Sequence, residues 1–455
     1  MPGHRAVSAG LETARMLASL LGIDEEEATA KLQKTVLVTA APSRESWAAD
    51  IEAMAARTIT VTRDASVTFD LELVVGPIEP VSRAQVLWAD IGAERVRAGF
   101  QAPKPTEGEP APLFAAATAP IIAAMAIRAT VNDQRLPATA EPLDLHEKEF
   151  GIPKLAHGET IPLDGVVMVG AGAVAHGFLK ALRHIPVTGS IEIVDPKEVG
   201  AGNLNRCLYL QPGDEGGGKA DLLATRAAPD FPNVRLTPRK MEFAEYAAGL
   251  PPVPTMIVTV DSRAARRKLQ KYVPGRVLDA STTDARFVVV HSHRQPAAGA
   301  CMSCLYHHTP DEHAREESIS EALGVDIETI RTGFVTLEVA ETIVQRYPGY
   351  DPCALVNKAF DSLFRELCST QALTTPEGRQ VLTPFAFVSA MAGVLLAIEL
   401  VRQQVGCSDT GGWQVDPWRG PVGRTRRSVS KRYDCEFCTD PDFTEAAELF
   451  WGSKQ

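Results

Sequence analysis

The sequence predicts an α/β protein in two unequal parts, and three observations carry that prediction. Strand and helix patterns alternate in the N-terminal third. A strand, a glycine turn, a helix and a second strand follow one another near residue 170, and apolar strands end on aspartate. The expected division is a smaller α/β domain over residues 1–150 and a larger domain with a parallel-rich sheet over 151–455. A chain of 455 residues suits two or three domains of roughly 150 each.

Taken in order, "KTVLVTA" reads as a strand, "SRESWAADIEAMAAR" as a helix, and "TITVTRD" and "DLELVVG" as further strands. This first part has no glycine fingerprint and no cysteine. "QAPKPTEGEPAP" (Gln101 to Pro112) has the Pro and Gly content of a loop. The Ala-rich run Leu113 to Ile127 falls short of the ~20 apolar residues of a membrane span and contains Pro120. The run Phe385 to Val401 is also short and carries Glu399, so both read as buried helices. No secretory signal pattern opens the chain, and a cytoplasmic location is expected. The composition, 45% hydrophobic and 23% charged, is that of a globular protein. A formal charge of -11 argues against nucleic acid or an anionic membrane as the main partner.

"GVVMVGAGAVAHGFLKALRHI" is a buried strand, a glycine turn and an amphipathic helix, and "GSIEIVD" is the next strand, ending at Asp195. The fingerprint is Gly170, Gly172 and Ala175: a tight turn, a close backbone approach to phosphate, and a small residue for helix–strand packing. The helix start offers free N–H groups to an anion. "TMIVTVD" ends at Asp261, so Gly170, Asp195 and Asp261 are expected to face one crevice of a Rossmann-like sheet.

That much fits NAD as well as ATP. The segment after Asp195 decides between them, because it holds Asn203, Asn205, Arg206 and Lys219. Two cations with amides suit a polyphosphate whose charge is neutralised as it reacts, and Asp261 supplies a hard oxygen for Mg²⁺. "GDEGGGKAD" comes near a P-loop through Gly213, Gly218 and Lys219, but Ala220 stands where the metal-binding hydroxyl belongs. Cys301 with Cys304 and Cys435 with Cys438 form two Cys-x-x-Cys pairs, enough for a closed tetrahedral zinc site joining distant parts of the larger domain.

"GAGAVA", "VDPKEVGAGNLNR", "GGGKA", "VDSRAARR" and the two cysteine pairs, in that order from Leu163 to Cys438, resemble the ThiF/MoeB and ubiquitin-activating enzyme superfamily. The resemblance implies ATP, Mg²⁺ and Zn²⁺ as ligands. Asp195 would bind the ribose, Asn203, Arg206 and Lys219 the phosphates, and Asp261 the magnesium. Cys207 and Ser262 depart from the usual Gln and Asn. The family also uses an arginine from the partner half of a dimer or pseudo-dimer, which no motif here places. The implied activity is adenylation of a ubiquitin-like protein at its C-terminal Gly, with Arg206, Lys219 and Asp261 in catalytic roles. A thioester on an enzyme cysteine and transfer to a conjugating partner would follow. Cys368, in a segment of about 340–380, is the first choice of nucleophile and Cys353 the second; Cys407 reads as structural. The first part would be an inactive adenylation-like half, giving a pseudo-dimer, with a homodimer as the other arrangement. Other readings are open: a sulfur-carrier adenylyltransferase without a thioester, a tRNA-modifying or peptide-modifying adenylating enzyme, an NAD-binding oxidoreductase, and a non-enzymatic zinc-stapled scaffold. The histidines His291, His293, His307 and His308 read as solvated or hydrogen-bonded side chains.

Overall fold

The computed structural model describes residues 3–82, 85–155, 159–282, 287–307, 310–331, 335–356, 358, 360–367, 385–421 and 426–452. Its first sheet has six strands: β1 (Thr35–Ala40), β2 (Thr60–Thr62), β3 (Leu71–Val75), β4 (Val86–Ile91), β5 (Arg95–Gly99) and β6 (Leu143–His146). Their order is β2-β1-β3-β4-β5-β6. The strands expected from sequence are present, with "TITVTRD" cut to three residues on the sheet edge. β4, β5 and β6 were not anticipated.

The second sheet starts with β7 (Ile161–Pro162), β8 (Val166–Val169), β9 (Val187–Val194), β10 (Val234–Arg239) and β11 (Thr255–Val258). It continues through β12 (Arg276–Thr282), β13 (Val288–Arg294), β14 (Gly412–Val415) and β15 (Arg426–Arg427). The order is β10-β9-β8-β11-β12-β13-β14-β15, with β7 paired to β9. β10 through β12 are parallel, and the β8–β9 and β8–β11 pairings place β8 at the centre. The chain leaves β8 for β9 on one side and later crosses to β11 on the other. That reversal opens a crevice at the carboxyl ends of β8 and β11.

The run β9-β8-β11-β12-β13-β14 repeats the run β2-β1-β3-β4-β5-β6 in order and direction. Three parallel pairings are followed by two antiparallel ones in each. A long apolar helix precedes the last strand of each run, Pro112–Val131 before β6 and Ala386–Gln404 before β14. These helices, 20 and 19 residues long, have the length and composition of membrane spans, yet 83% and 94% of their most apolar windows are buried inside the protein. Both are core helices, as the sequence suggested, although they are longer than the apolar runs alone. Small residues let the second one dock. A Cβ at Gly393 would lie 2.1 Å from Phe178 N, and one at Gly177 2.7 Å from Ala390 Cα. The fully buried Glu399 is compensated by Arg402 at 3.3 Å and Arg426 at 3.1 Å.

Between β13 and the Ala386–Gln404 helix, the helices Pro310–Leu323, Ile327–Arg331, Leu337–Arg346, Pro352–Leu355 and Phe360–Leu367 form a small helical unit. Its own core includes Leu323, Ile330, Ile343 and Leu363. Cys368 lies outside the described residues, as does the rest of 368–384, which takes in the end of the expected cysteine segment.

Candidate nucleotide site and metal centre

β8 ends at Gly170, whose φ of +101° places it where a side chain is strained. A Cβ there would also sit 3.0 Å from the Thr259 backbone, so the turn closes against the end of β11. Thr259 completes the closure, its hydroxyl donating to the carbonyls of Val169 at 3.1 Å and Gly170 at 2.8 Å. Gly172 is different. A Cβ on it would meet nothing within 4 Å, so the turn is bare on the side where phosphate would approach. Ala175 is fully buried against the sheet.

Asp195 is bound into this turn. Its carboxylate accepts from the N–H of Ala171 at 2.7 Å and of Lys197 at 2.8 Å. Lys197 reaches Asp261, with 3.7 Å between Nζ and Oδ1, and accepts the Lys219 N–H on its carbonyl at 2.9 Å. Asp195, Lys197, Lys219 and Asp261 are therefore close enough to perturb one another. Burial lowers the Lys219 pKa from the ordinary lysine value, while Asp195 and Asp261 oppose that shift and Lys197 adds to it. Asp261 is half exposed, at 51%, with its oxygens accessible to a hard cation.

Lys219 is not a P-loop lysine. The N–H groups of Gly216, Gly217 and Lys219 donate to the carbonyls of Val199, Asp214 and Lys197, and Glu198 bridges Gly218. Those amides hold the segment against the strand-end loop, leaving none of the three for a phosphate cradle. Asn203 accepts the Gly200 N–H at 2.9 Å. Arg206 is held within its own loop by Gly202 O and by Asn205 Oδ1 at 3.3 Å. Asn205 is buried and serves that loop.

Several neighbours were not legible beforehand. Glu242, just past β10, has its pKa pushed up to about 7, chiefly by burial, with Lys197 opposing and Asp195 reinforcing the shift. Beneath Asp261, Arg266 bonds both Asp279 and the Val260 carbonyl, and the Tyr306 hydroxyl donates to Asp279. The Arg-rich run "VDSRAARR" hinted at such an anchor, but its partners come from β12 and from the segment after Cys304. Arg57 of the first half reaches the loop carrying Arg206, from about 150 residues away in sequence, and nothing in the sequence marked it.

The four cysteines meet. Sγ–Sγ separations are 3.8 Å for Cys301–Cys304, 3.6 Å for Cys301–Cys435 and 3.7 Å for Cys304–Cys438, and all four sulfurs lie within 4.8 Å of one another. A tetrahedron with Zn–S bonds of 2.3 Å has edges of about 3.8 Å, so the set fits zinc. Backbone N–H groups of Arg432 and Cys438 point at Cys304 and Cys435 sulfurs, at 3.4 and 3.5 Å, as they do around thiolates.

The profile of the ThiF family matches residues 159–436. This chain belongs to the ThiF family. The profile of the E1 N-terminal domain matches residues 6–153 ahead of it. An uncharacterized protein, y4jF of Sinorhizobium fredii, is 26% identical over 315 residues, which is 63% of this chain and 58% of that protein. The alignment thus spans less than two thirds of that relative's length. Among solved structures, E. coli MccB with ATP aligns at 12% identity over 61% of this chain and 66% of that one, with a TM-score of 0.37. E. coli MccB with MccA-N7isoASN gives 13%, 61%, 67% and 0.38.

Within the ThiF region the remaining cysteines separate by environment. Cys207 is 1% exposed and burial raises its pKa. Cys353 is exposed on the helix Pro352–Leu355, and Cys407 is half-buried after the Ala386–Gln404 helix. His291 and His293 are buried and bonded to each other at 2.9 Å, which bears out the hydrogen-bonded reading rather than the solvated one. His308 lies outside the described residues.

Proposed function

We propose that this ThiF-family chain activates the C-terminal carboxylate of a ubiquitin-like protein by ATP-dependent adenylation. The observation that carries the reading is the convergence of Asp195, Lys219 and Asp261 on the bare turn at Gly172. ATP would lie with its ribose on Asp195 and its phosphates over the turn. A carboxylate oxygen of the substrate attacks the α-phosphorus, the bond to the bridging oxygen of the β-phosphate breaks, and pyrophosphate leaves with the electron pair. No proton moves, so the residues act by placement and charge neutralisation. Lys219 supplies fixed positive charge, and Arg206 joins it from the adjoining loop. Asp261, half exposed and oxygen-rich, would hold a magnesium ion that neutralises phosphate charge. An NAD-dependent oxidoreductase has no use for this cationic set.

In the second step of this reading a cysteine sulfur attacks the acyl carbon. The C–O bond to AMP breaks and the thiol proton is lost, leaving a thioester for a conjugating partner to take. Cys368 remains the first choice on sequence, and exposure supports Cys353 as the second. The repeated strand order supports reading residues 1–150 as an inactive counterpart of the adenylating half, which makes one chain a pseudo-dimer.

The test is intact mass without reductant after incubation with Mg²⁺–ATP and a ubiquitin-like protein ending in Gly, for wild type, Cys368→Ala and Cys353→Ala. The expected result is a thiol-labile adduct absent from one variant. Adenylated substrate with no adduct in any variant would move the protein to the sulfur-carrier type. Absence of pyrophosphate release with a panel of such substrates would sink the adenylation reading.

A further inference from the structure

Arg57 follows the helix Glu45–Ala55 of the first half and crosses to the second. Its Nη1 donates to Leu204 O at 2.5 Å, and its Nη2 to Leu208 O at 3.1 Å and Leu210 O at 2.8 Å. The three carbonyls flank Asn205, Arg206 and Cys207. That loop contains no strand or long helix of its own, and the helix Gly3–Leu21 packs on its start at Ala201–Asn203. Its internal backbone bonds are few, among them Cys207 N–H to Asn203 O and Leu210 N–H to Cys207 O. From below, Leu204, Cys207 and Leu210 pack into a small apolar cluster, and the Tyr209 N–H donates to His176 Nδ1 at 3.1 Å. From the other side one planar guanidinium gathers three converging carbonyls. A lysine ammonium, a point donor on a flexible stem, does not reproduce that fork.

The charge points further. All three bonds go to neutral carbonyls, and among the described residues no carboxylate pairs with Arg57. Burial lowers its pKa, as expected of a cation short of a counter-charge. Its field reaches the helix behind the glycine turn. His176 is held neutral, at about 3, by burial first and then by the charges of Arg57, Lys219 and Lys180. Another cross-half contact is built differently. Asp50 takes Arg183 and, at 2.8 Å, His184 in a compensated ion pair, and Arg183 also reaches Asp230 at 3.5 Å, which accepts the Tyr209 hydroxyl at the end of the loop. A strut needs no spare charge, whereas a residue shaping an anion site benefits from one.

We propose that Arg57 is a positioning residue for nucleotide phosphate: it fixes the Asn203–Leu210 loop of the second half from the first and lends the site its uncompensated charge. The inference rests on the reading of that loop as phosphate-binding. The test uses the full chain in four forms: wild type, Arg57→Ala, Arg57→Lys and Asp50→Asn. Hydrogen exchange without ligand reads the loop, and ATP–pyrophosphate exchange with Mg²⁺–ATP and a ubiquitin-like protein ending in Gly reads KM and kcat. Arg57→Ala is expected to speed exchange at 203–210 by about tenfold or more while β8 and β9 stay protected, and to raise the KM for ATP by about tenfold with a smaller change in kcat. Arg57→Lys keeps the charge, so it recovers part of KM but little of the loop protection. Asp50→Asn leaves the KM unchanged and alters exchange at Tyr209 alone. Unaltered loop exchange in both Arg57 variants, or an equal KM rise in Asp50→Asn, overturns the proposal. If Arg57→Ala does not fold, Arg57→Lys against Asp50→Asn decides. A wild type that binds no ATP defeats the nucleotide reading, while the exchange data still report on the anchor.

Discussion

β8 runs out into Gly170, Ala171 and Gly172, whereas its counterpart in the first half, β1, runs out into Ala41, Pro42, Ser43 and Arg44. The strand order around the two is the same, so the crevices are comparable, and they are filled differently. In the second half no side chain enters at Gly172. In the first, Arg44 lies inside, 7% exposed, with Nε 3.3 Å from Asp90 Oδ1. Asp90 Oδ2 is taken in turn by the N–H and hydroxyl of Thr106, at 2.8 and 2.9 Å. Gly76, at the end of β3, has no room for a Cβ because Ala41 and Arg44 stand 2.8 and 2.9 Å from where it would be. One sheet topology thus serves two ends. Where the strand-end turn is bare and acids line the rim, a charged ligand would have room; where an arginine folds in and meets its own aspartate, the crevice is filled by the protein itself.

The halves differ most in what holds them shut. Every cysteine lies in the second half, and four of them meet. A structural zinc contributes on the order of 10 kcal/mol, so Cys435→Ser or strong chelation should unfold the region around 287–452 while the first sheet stays protected. Metal analysis of purified wild type should give one zinc per chain, and a metal-free protein that melts no lower would refute the staple.

The next contrast sets Lys219 against Arg44. Lys219→Ala should cut pyrophosphate exchange by about 10²–10³-fold with little change in Tm. Arg44→Ala should do the reverse, costing about 3–5 kcal/mol in denaturant unfolding as Asp90 loses its partner, with the ATP KM unchanged. A rise in KM for Arg44→Ala would mean the first crevice also handles nucleotide.

A smaller effect separates two glycines. Gly172→Val places its side chain in open space, so Tm should hold while ATP affinity falls by about tenfold. Gly393→Ala forces a Cβ onto the Phe178 backbone and should cost about 1–3 kcal/mol of stability. The smallest effect concerns pH. The folded-state pKa of Glu242 is raised to about 7, so its contribution to stability is complete below the ordinary glutamate value and is lost as pH rises through 7. Glu242→Gln should flatten the stability profile between about pH 4.5 and 7, and an unchanged slope would place the titration elsewhere.

Much of the candidate site could be read in advance because its chemistry is local. A glycine turn between a buried strand and a helix, an acid at a strand end and a paired Cys-x-x-Cys each carry their geometry within a few residues. The sequence by itself therefore determined the Rossmann-like second half, the residues offered to a nucleotide and the four thiols offered to a metal. Only the tertiary structure decided which of these meet and how the first half touches them. The topological repeat between halves left no trace in residue identity, since strand order follows from pairing across the sheet and many apolar sequences satisfy it. Arg57 was invisible for the same reason. A lone arginine after a helix has no pattern, and its role exists only once folding brings three carbonyls of a distant loop within reach of its guanidinium.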